Sequence, residues 1–196
     1  MTSLKSSPSP TAIKSICVYC GASSAVNAKY IRLAEALGRE LAGRGIRLVY
    51  GGGGVGLMGA CAKAAHAASG EVLGIMPKFL LQKERIYTDV EHRIVDDMHT
   101  RKMMMFEEAE AFIVLPGGIG TLEEAVEILS WARLGLHAKP MAFLDEDGFW
   151  APFFELMEHI IVGGFIPEEF RASLVHVSTP EQAIEALGER LVVLDR

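Results

Sequence analysis

Phe112-Ile113-Val114-Leu115-Pro116-Gly117-Gly118-Ile119-Gly120-Thr121-Leu122-Glu123-Glu124-Ala125-Val126 is the stretch whose reading decides the fold. Residues 112–115 are apolar without a polar interruption, as in a strand buried on both faces. From Thr121 the period changes: Leu122, Ala125, Val126 and Leu129 fall at i, i+3, i+4 and i+7, one stripe of a helix over 121–134 that packs on a sheet. Strand, glycine loop and helix in that order form the repeating step of a parallel α/β sheet.

The same step recurs on either side. Strands are predicted at 16–19, 47–50, 72–75, 112–115 and 141–144, with further candidates at 93–95 and 174–177. Helices are predicted at 28–42, 57–68, 100–109, 121–134, 152–162 and 180–191. Such alternation makes a Rossmann-like, doubly wound parallel sheet with helices on both faces, folded as a single domain over 14–196. Residues 1–13, polar and rich in Ser and Pro, read as a disordered tail without the apolar core of a signal peptide. The segment 76–97 is the least regular and reads as an excursion over the sheet edge that borders a pocket.

Composition narrows the function. The chain has 196 residues, half of them apolar, enough for one sizeable core. Its 19 basic and 25 acidic residues leave a net charge of −6, so nonspecific attraction to nucleic acid is not expected and any anion must be held locally. No apolar run approaches a membrane span. Three cysteines are too few for a disulfide framework and fit a reducing, cytoplasmic setting. Cys17 and Cys20 have the spacing of a redox pair, but Cys17 falls inside a predicted buried strand, which favours inert thiols. The six histidines form no cluster of metal-ligand spacing, so no metal is expected.

Two glycine-rich loops follow strands and open helices: Gly51-Gly52-Gly53-Gly54-Val55-Gly56-Leu57-Met58-Gly59 and the 116–121 loop. In this architecture such loops line the ligand crevice, and helix N-termini there present N–H groups to phosphate. Gly52, Gly53, Gly117, Gly118 and Gly120 are therefore candidates for one anion site. Neither loop has the form of a nucleoside triphosphatase loop, so a monophosphate is expected. Ser23, in Gly21-Ala22-Ser23-Ser24 after the first strand, could offer a hydroxyl to the ligand or serve a turn.

Thr121 and Glu124 admit two readings. Thr-x-x-Glu at a helix start is a capping box that needs no function. A glutamate beside a glycine loop also stands where a ligand would meet it, with Glu123 as a second carboxylate. Arg101 and Lys102, in His99-Thr100-Arg101-Lys102, place two cations where a helix begins; this opposes the helix dipole and invites an anionic partner, or forms a solvated pair. The methionines Met103, Met104 and Met105 read as core and pocket lining. Met98, Met103, Met104 and Trp131 are candidates to surround a base.

Together, the 51–59 loop, Asp97-Met98-His99-Thr100-Arg101-Lys102 and the 116–124 loop resemble the Lonely Guy family of cytokinin riboside 5′-monophosphate phosphoribohydrolases. The resemblance runs from Cys17 to about Pro167 and includes Ser130-Trp131-Ala132 and Lys139-Pro140. It implies hydrolysis of the N-glycosidic bond of an adenosine-type 5′-monophosphate without a cofactor. Arg101 and Glu124 are the catalytic pair it implies. Lys102, Gly118, Gly120, Thr121, Glu123, Ser130 and Glu84 are implied in substrate binding, and a homodimer with both subunits near the site is implied as well. Proteins of this kind are often labelled lysine decarboxylases, but no feature here suggests a Schiff-base lysine. An AMP nucleosidase of broader specificity and a noncatalytic nucleotide or molybdenum-cofactor carrier are the rival readings.

Overall fold

The computed structural model describes residues 13–82 and 85–194. Seven strands, β1 (Ser15–Tyr19), β2 (Arg47–Tyr50), β3 (Val72–Pro77), β4 (Glu91–Val95), β5 (Ala111–Val114), β6 (Met141–Leu144) and β7 (Val175–Val177), form one sheet in the order β4-β3-β2-β1-β5-β6-β7. Every neighbouring pair is parallel. Six helices connect or follow them: α1 (Ala28–Gly43), α2 (Gly56–Ala67), α3 (Met98–Glu107), α4 (Ile119–Arg133), α5 (Ala151–Val162) and α6 (Pro180–Leu194).

Successive strand residues point to opposite faces, so the apolar strands must be covered twice. Ile16, Val18, Leu48, Tyr50, Ile113 and Ala142 pack with Leu33, Leu37 and Leu41 of α1, Cys61 and Ala65 of α2, and Ala183 and Leu187 of α6. Cys17, Tyr19, Val49, Leu73, Phe112 and Phe143 face the other way, onto Met105 of α3, Ala125, Ile128 and Leu129 of α4, and Phe153 and Met157 of α5. This two-sided burial is the doubly wound arrangement expected from the sequence. The described residues include no helix long and apolar enough to cross a membrane.

Two expectations move. Ile13, assigned to the tail, is 8% exposed and packs in the core, so the fold begins before residue 14; residues 1–12 lie outside those described. The helix predicted from Thr121 starts at Ile119, with Gly118 as its N-cap. Its buried stripe is Thr121, Glu124, Ala125, Ile128 and Leu129, whereas Val126 is 44% exposed. The helix is thus rotated from the one hydrophobicity suggests, and a carboxylate occupies its inner face.

The chain runs outward from β1 through β2 and β3 to β4, then crosses back to lay β5 on the other side of β1. Connections leaving β1 and β5 diverge at this point, opening a crevice beyond their carboxyl ends.

Candidate active site

A cavity of about 600 Å³ occupies that crevice. Its walls come from loops at the carboxyl ends of the strands: Gly21, Ala22 and Ser23 after β1, Leu57 and Met58 at the start of α2, Phe79 and Leu80 after β3, Met98 and Arg101 on α3, Phe149 after β6, and, after β5, Pro116, Gly117, Gly118, Gly120, Thr121, Glu123 and Glu124. The loops after β1 and β5 are tied by a hydrogen bond from Gly21 N–H to the Pro116 carbonyl, 3.1 Å.

The two glycine loops, equivalent on paper, do different work. At α2 the first N–H groups are already spent: Leu57 donates to the Gly21 carbonyl at 3.0 Å, and Met58 reaches the same oxygen at 3.4 Å. Gly53 bridges antiparallel to Ile86, and Gly54 N–H donates to the Arg85 carbonyl. Gly52 and Gly53 are not in the cavity wall: Met76 and His92 pack against Gly52, and a second chain segment crosses the loop at Gly53 and Gly54. A Cβ at Gly51 would overlap the Arg101 guanidinium, so this loop makes room for a cation rather than an anion. At α4, among the described residues, no protein acceptor takes the N–H groups of Ile119, Gly120 or Thr121. Three unspent donors at the positive end of a helix suit an anion. Gly117 permits this turn because a Cβ there would strike the Thr121 side chain.

Thr121 and Glu124 do not form a capping box, since both lie inside the helix and its Gly118 N-cap makes no side-chain bond. Glu124 instead turns inward, 5% exposed, with a carboxylate oxygen 3.3 Å from Arg101 Nη1. Arg101 is 6% exposed and is held on two further sides, donating from Nε to the Ile75 carbonyl at 3.1 Å and from Nη2 to the Gly51 carbonyl at 3.3 Å. Asp97 caps α3 by accepting from Thr100 N–H at 2.8 Å. Burial pushes the Glu124 carboxyl up to about 7, against the opposing pull of Arg101. A carboxylate poised near neutrality beside a cavity is suited to proton transfer.

The remaining predicted residues divide. Ser23, Gly117, Gly118, Gly120, Thr121 and Glu123 line the cavity with the Arg101–Glu124 pair. Lys102 does not: it bridges Glu123 at 2.6 Å and Glu127 at 2.9 Å, clamping α3 to α4. The anion that Arg101 and Lys102 invited is thus a set of carboxylates on α4. Ser130 is exposed on the outer side of α4, away from the cavity. Glu84 lies outside the described residues. Met98 lines the cavity, but Met104 and Trp131 pack against the core below it, and Met103 is also absent from the wall. Among the described residues, no group of three His, Cys, Asp or Glu converges as a metal site.

Sequence reasoning passed over Tyr30, Phe79, Leu80 and Phe149, all in the cavity wall. It also passed over Asp145, 1% exposed at the end of β6. Asp145 accepts from the N–H of Asp147 at 3.2 Å, Phe149 at 3.0 Å and Trp150 at 3.1 Å, from Gly148 N–H, and pairs with His176 at 2.9 Å. It thereby builds the loop that carries Phe149, which meets Tyr30 edge to face. Asp-x-Asp-Gly directly after a predicted strand was the available signal.

Comparison with known proteins identifies the family and the fold. A family model described as "Possible lysine decarboxylase" matches residues 58–187. The chain is 45% identical over 175 residues to the cytokinin riboside 5′-monophosphate phosphoribohydrolase LOG of Oryza sativa subsp. japonica, covering 89% of this chain and 72% of that protein. It is 42% identical to the phosphoribohydrolase LOG3 of Arabidopsis thaliana, covering 89% and 81%, and 42% identical to that of Rhodococcoides fascians, covering 94% and 93%. Among solved structures, the molybdenum cofactor binding protein of Rippkaea orientalis superposes with a TM-score of 0.68 at 21% identity, covering 91% of this chain and 97% of that one. The Moco carrier protein of Chlamydomonas reinhardtii superposes with a TM-score of 0.69 at 19% identity, covering 92% and 98%. These two likenesses show a shared fold. The family model and the relatives at 42–45% identity show more: the chain belongs to the Lonely Guy (LOG) family of cytokinin riboside 5′-monophosphate phosphoribohydrolases.

Proposed function

We propose that this protein hydrolyses the N-glycosidic bond of cytokinin riboside 5′-monophosphates, which are N6-substituted AMP, to free base and ribose 5-phosphate. One observation carries the reading: a buried Arg101–Glu124 pair in the wall of a cavity whose rim is the unspent N-terminus of α4. The 5′-phosphate would accept from the N–H groups of Ile119, Gly120 and Thr121, fixing the ribose relative to the carboxylate one turn further along the helix. Such positioning removes several kcal/mol of barrier, up to about 11 for well-oriented groups.

As the bond from the anomeric carbon to the base nitrogen breaks, positive charge develops on the ribose, and ionised Glu124 stabilises it. Water adds its oxygen to the anomeric carbon and gives a proton to Glu124. The departing base takes up a proton from solvent, and Glu124 then returns the water's proton to solvent, which restores the carboxylate. Arg101, anchored on two carbonyls, holds the Glu124 carboxylate in place. A lysine-based decarboxylation finds less support, because among the described residues no lysine lines the cavity.

The proposed working unit is a cytoplasmic homodimer. Ile119 is 83% exposed and shares the outer side of α4 with Val126 and Ser130, an apolar edge that a second copy would cover. That placement would also let Ser130 act at the partner's site. Three free, buried cysteines suit a reducing compartment.

The test is incubation of the purified protein with isopentenyladenosine 5′-monophosphate and with AMP, resolving products by chromatography beside Glu124→Ala. Free base from wild type and none from the folded variant supports the hydrolase. Nucleotide binding without base release would favour the carrier.

A further inference from the structure

We infer that a second cavity, at the amino ends of the strands, binds a small organic anion, a carboxylate or phosphate ester with an apolar body, through Lys139 and Arg190. The inference goes beyond the hydrolase reading and does not depend on it.

This cavity measures about 510 Å³, within the range of small-molecule sites. It lies where Pro140 leads into Met141 at the start of β6, at the opposite end of the sheet from Arg101 and Glu124. Ile128 and Leu129 of α4 join Met141 as apolar wall, while His137, Lys139 and Arg190 supply the basic wall. No described Asp or Glu lines it, although acidic residues outnumber basic ones in the chain.

The ion pairs elsewhere make this wall stand out. Every other described Lys or Arg that is buried or half-buried meets a carboxylate: Lys29 meets Asp147, Arg47 and Arg93 meet Glu108, Arg101 meets Glu124 and Lys102 meets Glu123. Lys139 and Arg190 are also half-buried, yet among the described residues their side chains hold only backbone carbonyls. Lys139 Nζ donates to Phe106 at 2.6 Å and lies 4.0 Å from the centre of its ring, and Arg190 Nη1 donates to Ala172 at 2.5 Å. Both keep further N–H donors. Burial holds the Lys139 ammonium below its ordinary value, against the pull of Glu107 and Glu110 from beyond pairing distance.

His137 is not a third cation. Its Nδ1 accepts from Lys139 N–H at 3.1 Å, so Nε2 carries the proton and donates to the Ile128 carbonyl at 3.0 Å. The neutral ring thus fixes the loop that presents Lys139. Two half-buried cations without a counter-ion, set on one apolar cavity, suit an anion with a hydrocarbon portion. An occupant would also bear on α4 one turn beyond Glu124, through Ile128 and Leu129.

The experiment is isothermal titration calorimetry of the full chain, saturated with ribose 5-phosphate to fill the N-terminus of α4, with phenyl phosphate, benzoate and inorganic phosphate as probes. At least one aromatic anion should bind, and inorganic phosphate should bind about tenfold more weakly than that anion. Lys139→Gln, which keeps a donor for the Phe106 carbonyl, and Arg190→Gln should each weaken the aromatic anion about tenfold. Circular dichroism and thermal unfolding check the fold, and if Lys139→Gln does not fold, Arg190→Gln decides alone. Binding of neither aromatic anion, or undiminished affinity in a folded variant, overturns the inference. Inorganic phosphate binding as tightly as the aromatic anions overturns it as well. Base release from nucleotides bears on the hydrolase reading alone, so the two can fail separately.

Discussion

The Glu124 carboxylate and the Arg101 guanidinium lie 3.3 Å apart with both side chains less than a tenth exposed, one on α4 and the other on α3. The pair is the contact between these two helices that faces the cavity, while Lys102 with Glu123 and Glu127 secures the same helices further out.

Burial raises Glu124 from its ordinary value to about 7, so the folded protein holds this proton more tightly than the unfolded chain does. Between the two values, stability falls as pH rises, because folding must keep an ionised carboxylate in a dry place. The wild type should therefore lose on the order of 3 kcal/mol between pH 5 and pH 8 through this group, and Glu124→Gln should lack that slope. Chemical denaturation at the two pH values measures it. Activity should run the opposite way, rising through about pH 7 as the carboxylate ionises, with none in the variant.

Arg101→Lys keeps the charge but not the shape. A single ammonium cannot meet Glu124, Ile75 and Gly51 as the guanidinium does. Lowering of kcat by about 100-fold is expected, with KM changing less, because the carboxylate is no longer held in register. Steady-state kinetics decide it, and a variant within a few-fold of wild type would deny Arg101 its anchoring role.

Gly117→Ala places a methyl group where the Thr121 side chain already stands. The loop must open, moving the donors of Ile119 and Gly120. A loss of roughly 1–3 kcal/mol is expected from overpacking, together with weaker nucleotide binding. Thermal unfolding with and without AMP separates the two effects. Gly118→Ala, where an added Cβ meets nothing, should be milder in stability.

Asp145→Ala removes the acceptor for four backbone N–H groups and the partner of His176 in one step. Orphaned donors in a loop of this kind should cost about 2–4 kcal/mol, and Asp145→Asn, which keeps one carbonyl oxygen, less. Urea unfolding of both variants tests the order.

Val126→Glu puts a charge on the outer edge of α4 without touching the cavity wall. Light scattering after size exclusion should show the proposed dimer shifted toward monomer. A variant that remains as associated as wild type would place the subunit contact elsewhere.

Strands and helices were legible in the sequence because apolar runs and helical periods are local properties, and each of the seven predicted strands has its counterpart. The rotation of α4 was not legible: Val126 outranks Glu124 on any hydrophobic scale, and only Arg101, brought in by a different helix, makes an inward glutamate acceptable. Gly52 and Gly53 misled for a related reason. Glycines admit close approach without saying of what, and here the approaching groups are Met76 and His92 at Gly52 and the 85–86 segment at Gly53. Lys102 looked like an anion receptor because its two carboxylate partners stand on α4, far away in sequence. What periodicity cannot show is which helix will face which, and the candidate site is made at that level.

The sheet order bears on the protein's birth as well as its chemistry. β1 is synthesised first yet ends in the middle, Ile16 pairing with Leu48 on one side and with Ala111 on the other. A nascent chain can add β2 soon after β1, but the opposite edge of Ile16, Cys17 and Val18 must wait until β5 has left the ribosome. An apolar edge left open is a template for pairing with another chain. Fragments ending before Ala111 should therefore collect in the insoluble fraction, and slow translation over the segment after β4 should lower yield.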